Sequence, residues 1–178
     1  MTCLAHFRFV WASPGWQDGG KSVILEIKKY GDPVLRMESQ PIRKITPEIK
    51  TLAGNMLETM YAAEGVGLAA PQVGIPCRLI VIDIGDGPVT IINPEVTKAQ
   101  GEASDREGCL SIPGVTGIVT RAATVTVSGM DIGGSEVVLE AGGLLARALQ
   151  HEIDHLDGIL FVDKAEDIVQ DESVRARR

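Results

Sequence analysis

The sequence predicts an α+β domain in which antiparallel β-sheets pack around a central C-terminal helix, and three observations carry that prediction. Five β-rich stretches, separated by Gly, Pro and Asp, follow one another between Arg78 and Leu139. One helical pattern precedes them and a second, strongly apolar one follows. Strands clustered between helices, without regular alternation, favour antiparallel pairing over a parallel sheet. At 178 residues, with 44% apolar and 23% charged side chains, the chain suits one globular domain with a sizeable core. Aromatic residues are only 4%, so Val, Ile, Leu and Ala must fill that core.

Ordered structure is expected from Ser22, after a flexible N-terminal extension over residues 1–21 in which His6 reads as a tail residue. Residues 23–27 read as a short first strand. Gly31-Asp32-Pro33 turns the chain, because Asp and Gly favour turns and Pro fixes its own φ. Thr46-Pro47 supplies an N-cap and a first helical residue, and Ile49, Leu52, Met56 and Met60 carry the helix to about Ala63. The methionines read as core filler, and Gly65 as the helix stop. Residues 65–74, GVGLAAPQVG, are too rich in glycine and small side chains for a good helix or interior strand. Gly65 and Gly67 there indicate close approach of the backbone to a packing partner or a ligand. The stretch lacks the spacing of a phosphate-binding loop.

Strands are expected over residues 78–84, 89–96, 118–121, 124–128 and 136–139. The second helix follows, and residues 159–162 (ILFV) read as a last strand. The final dozen residues are polar and read as a short helix or disorder. The compact unit is therefore expected over residues 22–163, with a polar C-terminal tail over 164–178. No internal repeat, low-complexity tract or linker interrupts the unit.

Composition excludes several classes of function. A net charge of −7 argues against broad, sequence-independent nucleic-acid binding. The three cysteines, Cys3, Cys77 and Cys109, are odd in number and irregularly spaced, which favours a reducing compartment over a disulfide framework. No apolar run approaches the ~20 residues of a membrane span. Arg8 interrupts the most apolar part of the N-terminus, which reads poorly as a secretion signal.

The chemistry is concentrated in residues 150–158, QHEIDHLDG. On a helix, His151 and His155 stand one turn apart and can close on one divalent ion without bending the backbone. Glu152 lies beside the first histidine, placed to act as a base on a water held by the metal. Leu144, Leu145, Ala148, Leu149, Ile153 and Leu156 recur at three- and four-residue steps, so the histidines emerge from an apolar stripe. Gly158 fits a left-handed stop. Chance spacing of two core or surface histidines is the competing account; the intervening glutamate, with only three histidines in the chain, weighs against it.

Two imidazoles hold a metal weakly, and a catalytic site usually has three protein ligands. A third histidine six residues after the second would fall on Phe161. A downstream glutamate could only be Glu166 or Glu172, both in the polar tail. Cys109, within Glu107-Gly108-Cys109-Leu110-Ser111, is the better candidate, since its thiolate would give a set of two nitrogens and one sulfur. An inert buried thiol is the alternative for a lone cysteine. Glu107 and Arg121 are candidates for a supporting ion pair, and Asp154 carries no assigned chemistry.

Three stretches, GVGLAAPQVG, EGCLS and QHEIDHLDG, resemble in order the signature motifs of the peptide deformylase family. The resemblance runs from about Ile24 to Val162 and includes Gly31-Asp32-Pro33-Val34-Leu35-Arg36 and Gly143-Leu144-Leu145-Ala146-Arg147. It implies removal of the formyl group from the N-terminal formylmethionine of new bacterial or organellar proteins, in the cytoplasm or an organelle, with release of formate. It further implies that Cys109, His151 and His155 bind the metal, that Glu152 moves protons, and that the Gln72 amide and Leu110 N–H stabilise an oxyanion. Val66, Leu144, Ala148 and the stem of Arg147 would surround the methionine, while the backbone near Gly67 and after Ser111 pairs with the peptide. Family resemblance implies Fe(2+) in the cell, with Zn(2+), Ni(2+) or Co(2+) able to occupy the site. Some members dock on the ribosome through a longer C-terminal helix; here Arg175-Ala176-Arg177-Arg178 forms only a short basic end.

Two rivals are a general zinc metallopeptidase and a non-catalytic metal- or peptide-binding domain. The joint presence of Glu152, Gln72 and Cys109 weighs against the second, because a binder has no use for a base and an oxyanion donor.

Overall fold

The computed structural model describes residues 23–170. Helix α1 (Pro47–Ala62) leads into β1 (Gly67–Ala69), β2 (Leu79–Ile82), β3 (Val89–Gln100), β4 (Ala103–Cys109), β5 (Ile112–Arg121), β6 (Thr124–Met130) and β7 (Glu136–Gly142). Helix α2 (Gly143–Leu156) and β8 (Glu166–Gln170) complete the order. The strands form a five-stranded sheet, β1-β2-β3-β6-β7, and a three-stranded sheet, β4-β5-β8. Every ladder is antiparallel, as the strand clustering predicts.

β2 explains how the core is divided. Its side chains alternate: Leu79 and Val81 join Leu52, Ala53, Met56 and Met60 of α1, whereas Ile80 and Ile82 join Ala148, Leu149, Ile153 and Leu156 of α2. A strand buried on both faces needs the continuous apolar run LIVI. The other side of α2 meets the three-stranded sheet through polar side chains, Arg147 and His151 bonding Glu107 and Arg147 bonding Val119 O, while Leu35, Ile112, Val119, Leu160 and Phe161 form a third apolar cluster. Fully burying Leu149 or Leu156 contributes roughly 2 kcal/mol apiece. Helix α2 is thus held from two sides, which fixes the orientation of everything it carries.

Several local expectations are corrected. Residues 23–27 are not a strand: their backbone is bonded by side chains, Val23 N–H to Asn55 Oδ1 at 3.0 Å and Leu25 N–H to Thr59 Oγ1 at 2.9 Å. Residues 65–74 do contain a short strand, but β1 lies at a sheet edge, where small residues are tolerated. Residues 159–162 do not form a strand either. Leu160 and Phe161 are buried at a 3₁₀ turn, Phe161–Asp163, capped by Asp163 accepting from Leu160 N–H at 2.9 Å. Four apolar residues are equally consistent with a buried turn. In the expected tail, residues 166–170 form β8, paired with β5 through Val115, Thr116 and Ile118. The first 22 residues, His6 among them, and the basic end lie outside the described residues.

Glu64, with φ 54°, rather than Gly65, takes the left-handed residue that ends α1. Gly65 serves close approach instead, since a Cβ there would meet Leu110 Cδ1 at 2.7 Å. Gly158 (φ 71°) is the left-handed stop after α2, and an added Cβ would lie 2.7 Å from Arg36 O. Gly158→Ala combines backbone strain with that collision and is expected to cost about 1–3 kcal/mol of folding stability. Urea denaturation checks this; an unchanged midpoint would contradict it.

Candidate metal centre and substrate cavity

Helix α2 delivers His151 and His155 to the same side, and the end of β4 brings Cys109 to meet them. Donor atoms of the three lie within 4.8 Å of one another, with Cys109 Sγ 3.2 Å from His155 Nε2. Tetrahedral ligands at ~2.0–2.3 Å from one ion stand roughly 3.5 Å apart, so the trio fits a single cation. Cys109 is therefore not an isolated thiol; Cys77, outside the trio, is half-buried, and desolvation pushes its pKa up to about 11.

The arrangement also sets the histidine tautomer. Glu107 Oε2 lies 2.9 Å from His151 Nδ1. An ionised carboxylate only accepts, so Nδ1 carries the proton and the Nε2 lone pair is left for a metal. Arg121 grips the same carboxylate through Nε at 2.6 Å and Nη2 at 2.9 Å, and Arg147 Nη1 donates to Oε1 at 2.6 Å. The Glu107–Arg121 pair expected from the sequence is therefore buried and two-pronged. Burial pushes the Glu107 carboxyl up, but His151 and Arg121 outweigh it and hold the group well below the usual range. Arg121 Nη1 reaches on to Asp154 at 2.8 Å, which Lys164 Nζ also contacts at 2.7 Å. Asp154, given no role from sequence, closes this chain of charges.

Glu152 is set differently. It is 4% exposed, and its Oε2 has no hydrogen-bond partner in the protein. Burial lifts its pKa to about 7, against the opposing pull of His151 and Arg121. The bare imidazoles shift in opposite senses. Burial lowers His151, but Cys109 and Glu107 carry it to about 10, while burial and the neighbouring His151 hold His155 well below its usual value.

Gln72 sits in a 3₁₀ turn, Ala70–Val73, and is 1% exposed. Its Oε1 accepts from Ala69 N–H at 2.8 Å, which turns the amide Nε2 toward Cys109 Sγ (3.4 Å) and Ser111 Oγ (3.2 Å). Leu110 lies in the β4–β5 turn, where its carbonyl accepts from Lys29 Nζ at 2.8 Å. Residues 28–30 brace both neighbours, Lys28 N–H bonding Gln72 O and Tyr30 N–H bonding Ser111 O.

Val66, Gly67, Leu144, Arg147 and Ala148 all line one open cavity of ≈ 410 Å³ with Gln72, Cys109, His151 and Glu152. Every site residue singled out from sequence is therefore at this cavity or in its metal trio. Val66 and Leu144 are 45% and 53% exposed at its rim, whereas the Arg147 guanidinium is turned away to Glu107 and to the carbonyls of Val119 and Ala103. The cavity runs between the outer strands β1 and β4 of the two sheets. Sequence reasoning missed Ser111, whose only signal was its place two residues after Cys109. It also missed Arg106 and Glu64 on the cavity wall.

Residues 24–171 match the family model described as polypeptide deformylase. The peptide deformylase of Carboxydothermus hydrogenoformans is 55% identical over 147 residues, covering 83% of this chain and 97% of the relative. That of Halothermothrix orenii is 57% identical over 143 residues, covering 79% and 93%. Among solved structures, the Thermotoga maritima peptide deformylase aligns with a TM-score of 0.79 at 41% identity, covering 81% of this chain and 99% of that one. The Acinetobacter baumannii peptide deformylase bound to Met-Ala-Ser aligns with a TM-score of 0.76 at 35% identity, covering 80% and 99%. No helix among the described residues is long and apolar enough to cross a membrane.

Proposed function

This chain belongs to the polypeptide deformylase family, metal-dependent hydrolases that remove the N-formyl group from nascent proteins, and from that premise we propose how its own residues divide the work. One observation carries the reading: a thiol, two imidazoles and a buried carboxylate with an unpartnered oxygen share a single cavity. Cys109, His151 and His155 hold the cation. When bound, the ion supplies Lewis acidity, polarising the formyl carbonyl and acidifying water. Glu152 takes a proton from the attacking water and returns one to the departing amine nitrogen. The Gln72 amide and the Leu110 N–H donate to the formyl oxygen as negative charge gathers there, typically about 3 kcal/mol for each such donor. A glutamine suits position 72 because it stays neutral and can donate.

The methionine side chain enters between Val66, Leu144, Ala148 and the stem of Arg147. Backbone at Gly67 and in the segment after Ser111 pairs with the peptide as an added strand, which ignores side-chain identity and so serves many nascent chains. The partners are formyl-methionyl chains emerging from the ribosome, with transient ribosome contact, in the bacterial cytoplasm. Residues 1–21 lie outside the catalytic unit.

Iron(II) is the cellular metal in this reading, and Zn(2+), Ni(2+) or Co(2+) fit the same soft-sulfur, two-imidazole set. Aerobic handling is expected to inactivate the iron form faster than the zinc form. Equal lifetimes in air would contradict the assignment.

Gly67 is fixed by this chemistry. A Cβ at that position would sit 2.9 Å from Glu152 Cγ and Cδ, so Gly67→Ala must displace the carboxylate. Misplacing a catalytic group by about 1 Å costs roughly 10²-fold in rate. The expected result is that loss in kcat with metal content unchanged, checked by formate release and metal analysis.

Formate release against peptide-bond cleavage on formyl-Met-Ala-Ser tests the activity. Formate and intact Met-Ala-Ser are expected from anaerobically prepared protein. Cleavage within the peptide would instead indicate a metallopeptidase, and binding without turnover a non-catalytic domain.

A further inference from the structure

Residues 28–30 touch both of the elements that carry the oxyanion donors. Lys28 N–H donates to Gln72 O at 2.7 Å, and Tyr30 N–H donates to Ser111 O at 2.8 Å. Between them, the exposed Lys29 side chain reaches Leu110 O with its Nζ at 2.8 Å. None of the three lines the substrate cavity, so none is placed to touch a substrate there. The segment is itself anchored. Upstream, Val23 N–H and Leu25 N–H bond Asn55 and Thr59 of α1. Downstream, Asp32 N–H closes a turn by donating to Lys29 O at 3.0 Å. The Lys28 ammonium is paired with Glu26, whereas among the described residues no carboxylate forms a salt bridge with Lys29, and its contact is the Leu110 carbonyl.

We propose that Lys29 is a positioning residue for the oxyanion donors: its ammonium locks the Leu110–Ser111 turn so that the Leu110 N–H keeps its aim. The inference deepens the deformylase reading above and rests on it. Cys109 and Ile112 are register partners, so the β4–β5 ladder fixes the two ends of the turn and leaves its centre to be held from outside. Residues 29 and 30 hold it by taking two successive carbonyls, those of Leu110 and Ser111. The Lys29 bond is charge-assisted and therefore stronger than one between neutral groups. Ser111 Oγ in turn accepts from Gln72 Nε2 at 3.2 Å, and the Gln72 carbonyl is the one that Lys28 N–H holds. One short segment thus sets the spacing of two donors that serve a single oxygen. Such donors act by being in place before charge develops. Slack in the turn is therefore felt in the transition state and not in the binding of substrate.

The experiment measures kcat and KM of the zinc-loaded full chain and of Lys29→Met and Lys29→Arg, with formyl-Met-Ala-Ser and with formyl-Met amide. Rates are normalised to bound zinc, so partial loss of folded protein does not alter them. Lys29→Met keeps the length of the side chain and removes the donor. Tyr30 still holds Ser111 in that variant, so its kcat is expected to fall by about three- to tenfold, a fraction of the roughly 10²–10³-fold that loss of a whole oxyanion donor costs. KM and zinc content are expected to stay unchanged, and the loss to be equal on the two substrates. Lys29→Arg keeps a charged donor and is expected to retain kcat within about twofold. A kcat unmoved by Lys29→Met, a loss as large in Lys29→Arg, or a change confined to KM or to the longer peptide overturns the proposal. In each of those cases formate release by the unaltered protein leaves the deformylase reading intact. Absence of formate from the unaltered protein overturns both.

Discussion

Replacing Glu152 with alanine is expected to lower formate release by roughly 10²- to 10⁴-fold while the protein still binds one equivalent of metal. Glu152 contributes no donor atom to the Cys109–His151–His155 trio, so its loss leaves the ligand set whole. What disappears is the only carboxylate at the cavity that combines near-complete burial with an oxygen unpartnered by protein. Glu107, the other buried carboxylate there, is committed to Arg121, Arg147 and His151 and cannot substitute. Steady-state formate assays paired with metal analysis check the result. Unchanged turnover would mean that another group moves the proton.

Glu107→Ala is expected to damage both stability and metal affinity. The substitution strips one carboxylate from two buried guanidiniums at once. Arg121 keeps Asp154, and Arg147 keeps the carbonyls of Val119 and Ala103, but neither recovers the lost ion pair. Removing one partner from a buried, hydrogen-bonded pair typically costs about 3–5 kcal/mol. His151 simultaneously loses the acceptor that holds its Nδ1 proton and ring orientation, a loss that typically weakens metal binding by about 10- to 100-fold. Chemical denaturation and competition with a metal chelator measure the two effects. A variant as stable and as metal-avid as the parent would remove the buried network from the account.

What could be read directly from sequence was local or periodic. The α2 stripe, Thr46-Pro47 and Gly158 each depend on neighbours within a turn or two, and the structure has them where the spacing predicts. The glycines at 65 and 67 signalled close approach, and their partners are Leu110 and Glu152. The partners themselves were not legible, because they come from distant parts of the chain. β4 escaped because Ala-Ser-Asp-Arg-Glu-Gly-Cys has no β-branched residue; its pairing with β5 overrides weak intrinsic preference. β8 escaped for a similar reason, being fully exposed and read as tail. Residues 159–162 had the composition of a strand but end as a buried turn held by Asp163 and, through it, Arg36. Asp154 gained its place only when Arg121 and Lys164, from two other elements, were brought to it.

The central claim is that a sulfur from the end of β4 joins two imidazoles of α2 around one cation. X-ray absorption at the zinc edge of the zinc-loaded protein tests it most directly. The account requires one sulfur scatterer at about 2.3 Å together with two imidazole nitrogens at about 2.0–2.1 Å. A stoichiometric zinc ion with only nitrogen and oxygen neighbours would contradict it.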